Sequence, residues 1–237
     1  MTSKFPKNSQ KQRKFSKTEK NTMFSKIIIK LKSFWKFLWY DDSMLSWMIN
    51  ILFAFISIKF IIYPLLGLIL GTNLPIVAVI SGSMDHEGDF DSWYNSTAYC
   101  GLRVCTQKDF YEEYDITRES FDEFPLKNGF RRGDVILLRG VDKYKLVEGD
   151  VIVFNSETEN SYPIIHRIID VNANSTEINF VTKGDHNSKP MFVEGHLNEY
   201  NISSENILGK GFFRIPYVGY VKLIFVDSIN FLKNLII

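Results

Sequence analysis

The chain's 237 residues, 45% hydrophobic and 23% charged, suffice for one sizeable folded domain beside a membrane element and exclude two full domains. The formal net charge of +1 hides an asymmetry: residues 1–40 hold eleven Lys and Arg against the single acid Glu19, a net of +10, which leaves about −9 on everything after them. Two cysteines, Cys100 and Cys105, without clustered histidines cannot complete a zinc site, so no metal or other cofactor is expected, and residues 1–26 lack the aromatic- or Gly-rich pattern of an RNA-binding module.

Residues 1–25, rich in Lys, Ser, Asn and Gln, have little apolar content and read as a disordered basic tail. From 26 to 43, cations mix with large apolar groups, which suits an interfacial amphipathic helix on anionic lipid with Trp39 and Tyr40 at headgroup level. Met44 to Leu70 is then 27 residues with one charge, Lys59. At ~1.5 Å per residue such a helix reaches roughly 40 Å, more than a ~30 Å hydrocarbon core, so 44–71 is read as a transmembrane anchor. It is too long and starts too late for a cleavable signal peptide. Lys59 and Pro64 place the span proper within about 44–62, with a kink before Pro64 and Lys59 either snorkelling to the outer surface or pairing with a partner protein. The cations ahead of the anchor set the N-terminus in the cytoplasm and the remainder outside. There, Cys100 and Cys105 can form a local disulfide; the alternative is two unrelated thiols in a variable insert. Asn95-Ser-Thr, Asn174-Ser-Thr and Asn201-Ile-Ser fit the N-glycosylation pattern and agree with an outside location.

Beyond the anchor, residues 72–216 carry short β-branched and aromatic runs at 135–138, 151–154, 164–171, 177–182 and 207–215, bounded by Gly, Asp, Asn or Pro. No long amphipathic helical pattern interrupts them. The expected fold is therefore mainly β, an antiparallel β domain behind a transmembrane helix. Residues 85–132 form an aromatic and acidic insert expected to hold one or two short helices. Residues 217–237, apolar but with Lys222, Asp227 and Lys233 spread through them, are expected to form a C-terminal membrane-associated helix.

The apolar run Val77-Ala78-Val79-Ile80 ends in Ser81-Gly82-Ser83-Met84. A serine at a strand end beside a glycine can face a cleft with its backbone N–H free for an oxyanion, although most Ser-Gly-Ser turns do nothing of the kind. Its hydroxyl needs a base. Of His86, His166, His186 and His196, only His166 lies in a strand-like run, where alternation points it to one face; a hydrogen-bonded core histidine is the plainer alternative. Asp185 follows the strand-like 178–183 and a glycine, where its carboxylate can accept from an imidazole. The same Gly-Asp pair recurs at 88–89, 133–134 and 149–150, so position alone does not single Asp185 out.

Taken in order after a membrane anchor, several motifs resemble type I signal peptidases: Ser81-Gly-Ser83-Met84, Gly-Asp-Val-Ile at 133–136 and 149–152, Pro163-Ile-Ile-His166-Arg167, Thr182-Lys-Gly-Asp185-His-Asn187 and Phe213-Arg-Ile-Pro-Tyr-Val-Gly219. The likeness covers about residues 44–220, the insert aside. It points to the archaeal and endoplasmic-reticulum branch, in which His replaces the bacterial general-base Lys. It implies a signal-peptidase-like β domain with Ser83 as nucleophile and His166 as general base, then acid. Ser81 would join the Ser83 N–H in the oxyanion hole, where losing one donor typically costs ~2.7–4 kcal/mol of transition-state stabilisation. Asp185 matches the first acid of the family's Gly-Asp motif. The second Asp that the family usually has five or six residues later is missing, since those positions are Pro190 and Met191. Either Asp185 completes the site, which is the expectation here, or Glu194 does so from a shifted loop, or Ser83 and His166 act as a pair.

The implied substrates are signal peptides of preproteins, cut after small residues at the outer face of the membrane. The lipid bilayer and the protein translocation channel are the further partners implied, and nucleic acid is not. The short tether agrees: Ser83 follows Gly71 by only twelve residues, at most ~40 Å of extended chain. An extended substrate would add alongside the strand leading into Ser81, with Val77, Ala78, Val79 and Ile80 lining shallow apolar pockets. The base must be neutral, so activity should rise through about pH 6–7, near the free imidazole pKa of ~6.5. Two readings compete. One is a catalytically silent relative acting as a binding or scaffold subunit of a translocation complex, motivated by the missing second Asp. The other is a self-cleaving Ser-dependent regulator, which the anchor and the His-containing motif oppose.

Overall fold

Ser43 starts the long apolar helix. Its Oγ accepts from the Ser46 N–H (3.2 Å) and so satisfies one of the donors that a helix leaves unpaired at its N-terminus. The helix, α2, runs Met44–Leu70 and follows a shorter one, α1, within residues 25–40. The computed structural model describes residues 25–30, 32–37, 39–156, 162–173, 177–220 and 224. The expected disordered tail and nearly all of the expected C-terminal helix lie outside the described residues, as does Asn174.

The described chain divides into two units, one ending at Ile62 and one beginning at Tyr63. In the first, α1 exposes Ile27, Phe34, Trp35 and Trp39, and α2 exposes Leu45, Trp47, Met48, Ile51 and Phe55. α2 is long and apolar enough to cross a membrane. Apolar side chains all round a helix suit lipid, where the backbone must be satisfied within the segment. Just before Pro64 the helix widens into a π-helical stretch, Ile58–Ile62. Proline has no N–H to give and its ring crowds the carbonyl four residues back, so this is where the regular ladder must yield. In the second unit the helix stops at Gly71, whose φ of +66° closes a left-handed cap with the Thr72 N–H on the Gly67 carbonyl (3.1 Å).

The second unit is built on a curled seven-stranded antiparallel sheet in the order β1-β4-β11-β5-β6-β7-β10. The strands are β1 Ile76–Ala78, β4 Val135–Arg139, β5 Val151–Phe154, β6 Ile164–Ala173, β7 Ile178–Lys183, β10 Ile202–Ser203 and β11 Ile207–Ile215. β5 is buried on both faces: Val151 and Val153 pack with Met84, Phe130 and Leu138, whereas Ile152 and Phe154 pack with Ile168, Phe180 and Leu197. That double burial explains an apolar run without polar alternation. The two Gly-Asp-Val-Ile repeats are one device used twice. Gly133 (φ +90°) and Gly149 (φ +88°) take conformations costly for other residues, and Asp134 and Asp150 accept from the N–H three residues before them.

The insert holds more structure than its sequence predicts. It has three short helices, α3 Phe90–Tyr94, α4 Gln107–Glu112 and α5 Arg118–Glu123, and a hairpin of β2 Thr97–Cys100 with β3 Arg103–Thr106. Asp89, Thr106 and Thr117 cap the three helices, Thr106 in a reciprocal box with Asp109. Its aromatic residues are core: Trp93, Tyr94, Phe110, Tyr111 and Phe121 pack together against Ile169 of β6 and Val181 of β7. Cys100 and Cys105 are disulfide-bonded across the hairpin. With the long apolar helix before it and three short helices in the insert, the described chain is mixed rather than mainly β, because short capped helices leave too little periodicity to register in the sequence. Asn95 and Asn201 are exposed.

Candidate active site

Past the end of β1, the Val79 N–H still bonds the Asp134 carbonyl (2.9 Å), after which the chain turns with the Asp85 N–H on the Gly82 carbonyl (3.0 Å). Met84 is driven into the core at 1% exposure, so its neighbour Ser83 is left facing outward at a fixed point. The register of β5 and β6 pairs Ile152 with His166 and Val151 with Arg167. His166 and Arg167, being consecutive, leave opposite faces of β6.

His166 Nε2 lies 2.9 Å from Ser83 Oγ, and Ser81 Oγ lies 3.2 Å from Ser83 Oγ. On the far side of the ring, His166 Nδ1 bonds the buried carboxylate of Glu199. Two donors orient that carboxylate: Thr182 Oγ1–H reaches Oε1 (3.0 Å) and the Met191 N–H reaches Oε2 (2.7 Å). A carboxylate at Nδ1 keeps the proton there, so the Nε2 lone pair faces the serine hydroxyl. Ser83, His166 and Glu199 thus form one hydrogen-bonded line from the surface into the interior.

Glu199 was not among the expected residues. It stands at the base of a small hairpin, β8 Phe192–Val193 with β9 Leu197–Asn198, where its N–H bonds the Met191 carbonyl (3.0 Å) and its carbonyl accepts from the Thr182 N–H (2.9 Å). Its carboxylate therefore sits against the backbone of Met191, one of the two positions at which the family resemblance looks for a second Asp. The available signal was a lone acid between Leu197-Asn198 and Tyr200-Asn201, too far along the chain for a short motif to reach. Glu194, the expected substitute, is exposed in the turn of the same hairpin and does not meet the imidazole.

Asp185 is placed elsewhere. Its carboxylate is buried in a two-pronged pair with Arg167 (2.9 Å from Nε to Oδ1, 2.7 Å from Nη2 to Oδ2) on the other face of β6 from His166, and the structure does not join it to the imidazole. Burial alone would raise its pKa, but the Arg167 guanidinium and the His86 contact outweigh it and hold the carboxyl well below the usual carboxylate range. The adjacent Gly184 is required by space. A β-carbon there would lie 2.6 Å from the Ser83 carbonyl oxygen and 2.8 Å from His166 Nε2.

β1 ends the sheet: it pairs with β4 on one side and, among the described residues, with no strand on the other. Of the expected substrate-lining residues, Val77 and Ala78 are half-buried and Ile80 is exposed, whereas Val79 at 2% exposure belongs to the core and its side chain lines no surface pocket.

No protein-family model matches the chain. The signal peptidase complex catalytic subunit SEC11 of Scheffersomyces stipitis is 24% identical over 188 residues, 79% of this chain and 86% of that one. The subunit of the same name from Candida albicans is 24% identical over 178 residues, covering 74% and 80%. SEC11C of Homo sapiens is 30% identical over 110 residues, 45% of this chain and 55% of its own. The chain is homologous to signal peptidase complex catalytic subunits. The SEC11 relatives named here come from two fungi and a mammal, which leaves the archaeal part of the expected branch without support. The fungal SEC11 matches extend over about three quarters of this chain.

Proposed function

We propose that the chain is a membrane-bound serine endopeptidase that removes signal peptides from secretory preproteins at the outer face of the membrane. Ser83 is the nucleophile, His166 the general base and Glu199 the carboxylate that orients the imidazole. The observation that carries this reading is the line from Ser83 Oγ through His166 to Glu199, in a chain related to signal peptidase catalytic subunits.

His166 Nε2 takes the hydroxyl proton as Ser83 Oγ attacks the scissile carbonyl. The Ser83 N–H and the Ser81 hydroxyl donate to the oxyanion. His166 then gives the proton to the leaving amine as the C–N bond breaks, leaving an acyl-serine. Water, deprotonated by the same nitrogen, attacks the acyl carbon; the ester bond to Ser83 Oγ then breaks, His166 returns the proton to that oxygen, and the upstream fragment leaves with a free carboxylate. Glu199 stays ionised throughout and stabilises the imidazolium. The substrate extends along the open edge of β1, past Val77, Ala78 and Ile80. Asp185, neutralised by Arg167, is assigned a supporting role in place of the catalytic one expected from its motif. The anchor at 44–71 keeps the N-terminus cytoplasmic and holds residues 72–216 against the outer membrane surface, where preproteins, the bilayer, a translocation channel and other subunits of a complex are the partners.

The test is cleavage of a preprotein by the solubilised full chain with the subunits that co-purify. Wild type is expected to cut after a small residue, and Ser83→Ala, His166→Ala and Glu199→Ala to lose cutting, while Glu194→Ala keeps it. If Ser83→Ala cuts as well as wild type, the assignment falls. A well-folded wild type that cuts nothing cut by a known signal peptidase points instead to the silent scaffold subunit.

A further inference from the structure

We propose that the insert, residues 85–132, is a positioning collar for the nucleophile, and that His86 and Tyr111 are the side chains that carry its effect to Ser83. The inference rests on reading Ser83 as the nucleophile. The insert begins and ends on the nucleophile turn. His86, three residues after Ser83, is buried, and its ring lies flat against Trp93 of α3 (3.7 Å, 2° between planes). Its Nε2 reaches Asp185 Oδ2 (2.9 Å). At the other end, the Phe130 N–H bonds the Met84 carbonyl (2.8 Å). Gly129, at φ +64°, passes so close that a β-carbon would lie 2.3 Å from that same carbonyl and 2.6 Å from the His86 ring.

Between its ends the insert grips the segment that supports Ser83. The Tyr111 hydroxyl of α4 donates to Asp185 Oδ1 (3.1 Å), Trp93 Nε1–H to the Asp185 carbonyl (2.8 Å) and Gln107 Nε2–H to the Asn187 carbonyl (3.1 Å). Lys183 Nζ answers by donating to Gln107 Oε1 (2.7 Å), and the Tyr99 N–H of the disulfide-bonded hairpin takes the Ser188 carbonyl (2.9 Å). The segment so held gives its own N–H groups to the nucleophile turn: His186 N–H to the Ser83 carbonyl (2.8 Å) and Asp185 N–H to Met84 Sδ (3.3 Å). None of these insert side chains touches Ser83 Oγ or His166, so their effect on the reaction passes through Asp185 and the backbone. A nucleophile displaced by an ångström loses rate while binding is kept, because the substrate contacts lie along β1.

The experiment compares kcat and KM for preprotein cleavage by the solubilised full chain, with its co-purifying subunits, as wild type, His86→Ala, His86→Gln, Tyr111→Phe and Ser83→Ala. Tyr111→Phe deletes one hydroxyl and keeps the ring in its aromatic core, so it reports even where His86→Ala fails to fold. kcat is expected to fall about tenfold in His86→Ala and severalfold in Tyr111→Phe, with KM within twofold of wild type. His86→Gln, which can still donate to Asp185, is expected to recover most of the loss. Full kcat in folded Tyr111→Phe, or a loss confined to KM, overturns the collar. An active Ser83→Ala would overturn the underlying assignment instead, so the two failures are separable.

Discussion

Two buried carboxylates flank β6, and their partners differ in kind. Asp185 faces a guanidinium that is always charged, bound through both oxygens, so its charge is cancelled permanently. Glu199 faces an imidazole, which in the proposed reaction takes up a proton and gives it back, and its remaining partners are an uncharged hydroxyl and an N–H. Only the second carboxylate has charge to lend when an imidazolium forms. An acid's motif therefore says less about its role than the permanence of the cation opposite.

That contrast breaks most sharply at Glu199. Glu199→Gln keeps the side chain's shape but offers an amide where the imidazole proton needs an acceptor; kcat should fall about 10⁴-fold with a small change in the unfolding midpoint. Asp185→Asn should weigh chiefly on stability, with kcat falling only about tenfold, as in His86→Ala. It leaves Arg167 buried without its counter-charge, and denaturant unfolding should register a loss of about 3–5 kcal/mol. The same pair fixes a pH signature. With its folded pKa held below the unfolded value, Asp185 contributes stability above about pH 5 that is lost progressively as the solution is acidified, so wild type should lose thermal stability there and Asp185→Asn should give a flatter profile.

Gly184→Ala tests the space shared by the two regions. Its methyl group would enter between the Ser83 carbonyl and His166 Nε2, and kcat is expected to drop about 10²-fold without loss of substrate affinity. The smallest effect belongs to the disulfide, which staples the Asp185 side alone. Cys100→Ser should cost about 2 kcal/mol of stability by denaturant titration while kcat stays within twofold.

These contrasts also mark what could be read from the sequence. That Ser83 and His166 lie together was legible because each sits in a local motif, and the paired Gly-Asp-Val-Ile turns announced β4 and β5 for the same reason. Glu199 was not, because what brings it to His166 is a hairpin closing Met191 onto Glu199 and a bond to Thr182 across it, contacts between segments that carry no shared spacing. The expectation for Asp185 missed its pairing with Arg167. Arg167 follows His166 directly, and strand alternation sends the two to opposite faces, so the acid that pairs with one is barred from the other. The insert's aromatic residues were visible as composition, but their packing against Ile169 and Val181 depends on tertiary contacts that no local pattern encodes.

The open outer edge of β1 has a consequence for turnover. If a preprotein pairs along that edge, cleavage leaves the upstream fragment with every one of its backbone contacts, since the bond cut lies beyond them. The freed peptide is then a product that competes with the next substrate, and its departure into the surrounding lipid, rather than bond breaking, would set the pace of repeated cycles. Adding excess free signal peptide to a cleavage assay should slow the enzyme competitively; indifference to it would mean that the fragment lets go of β1 as soon as it is cut.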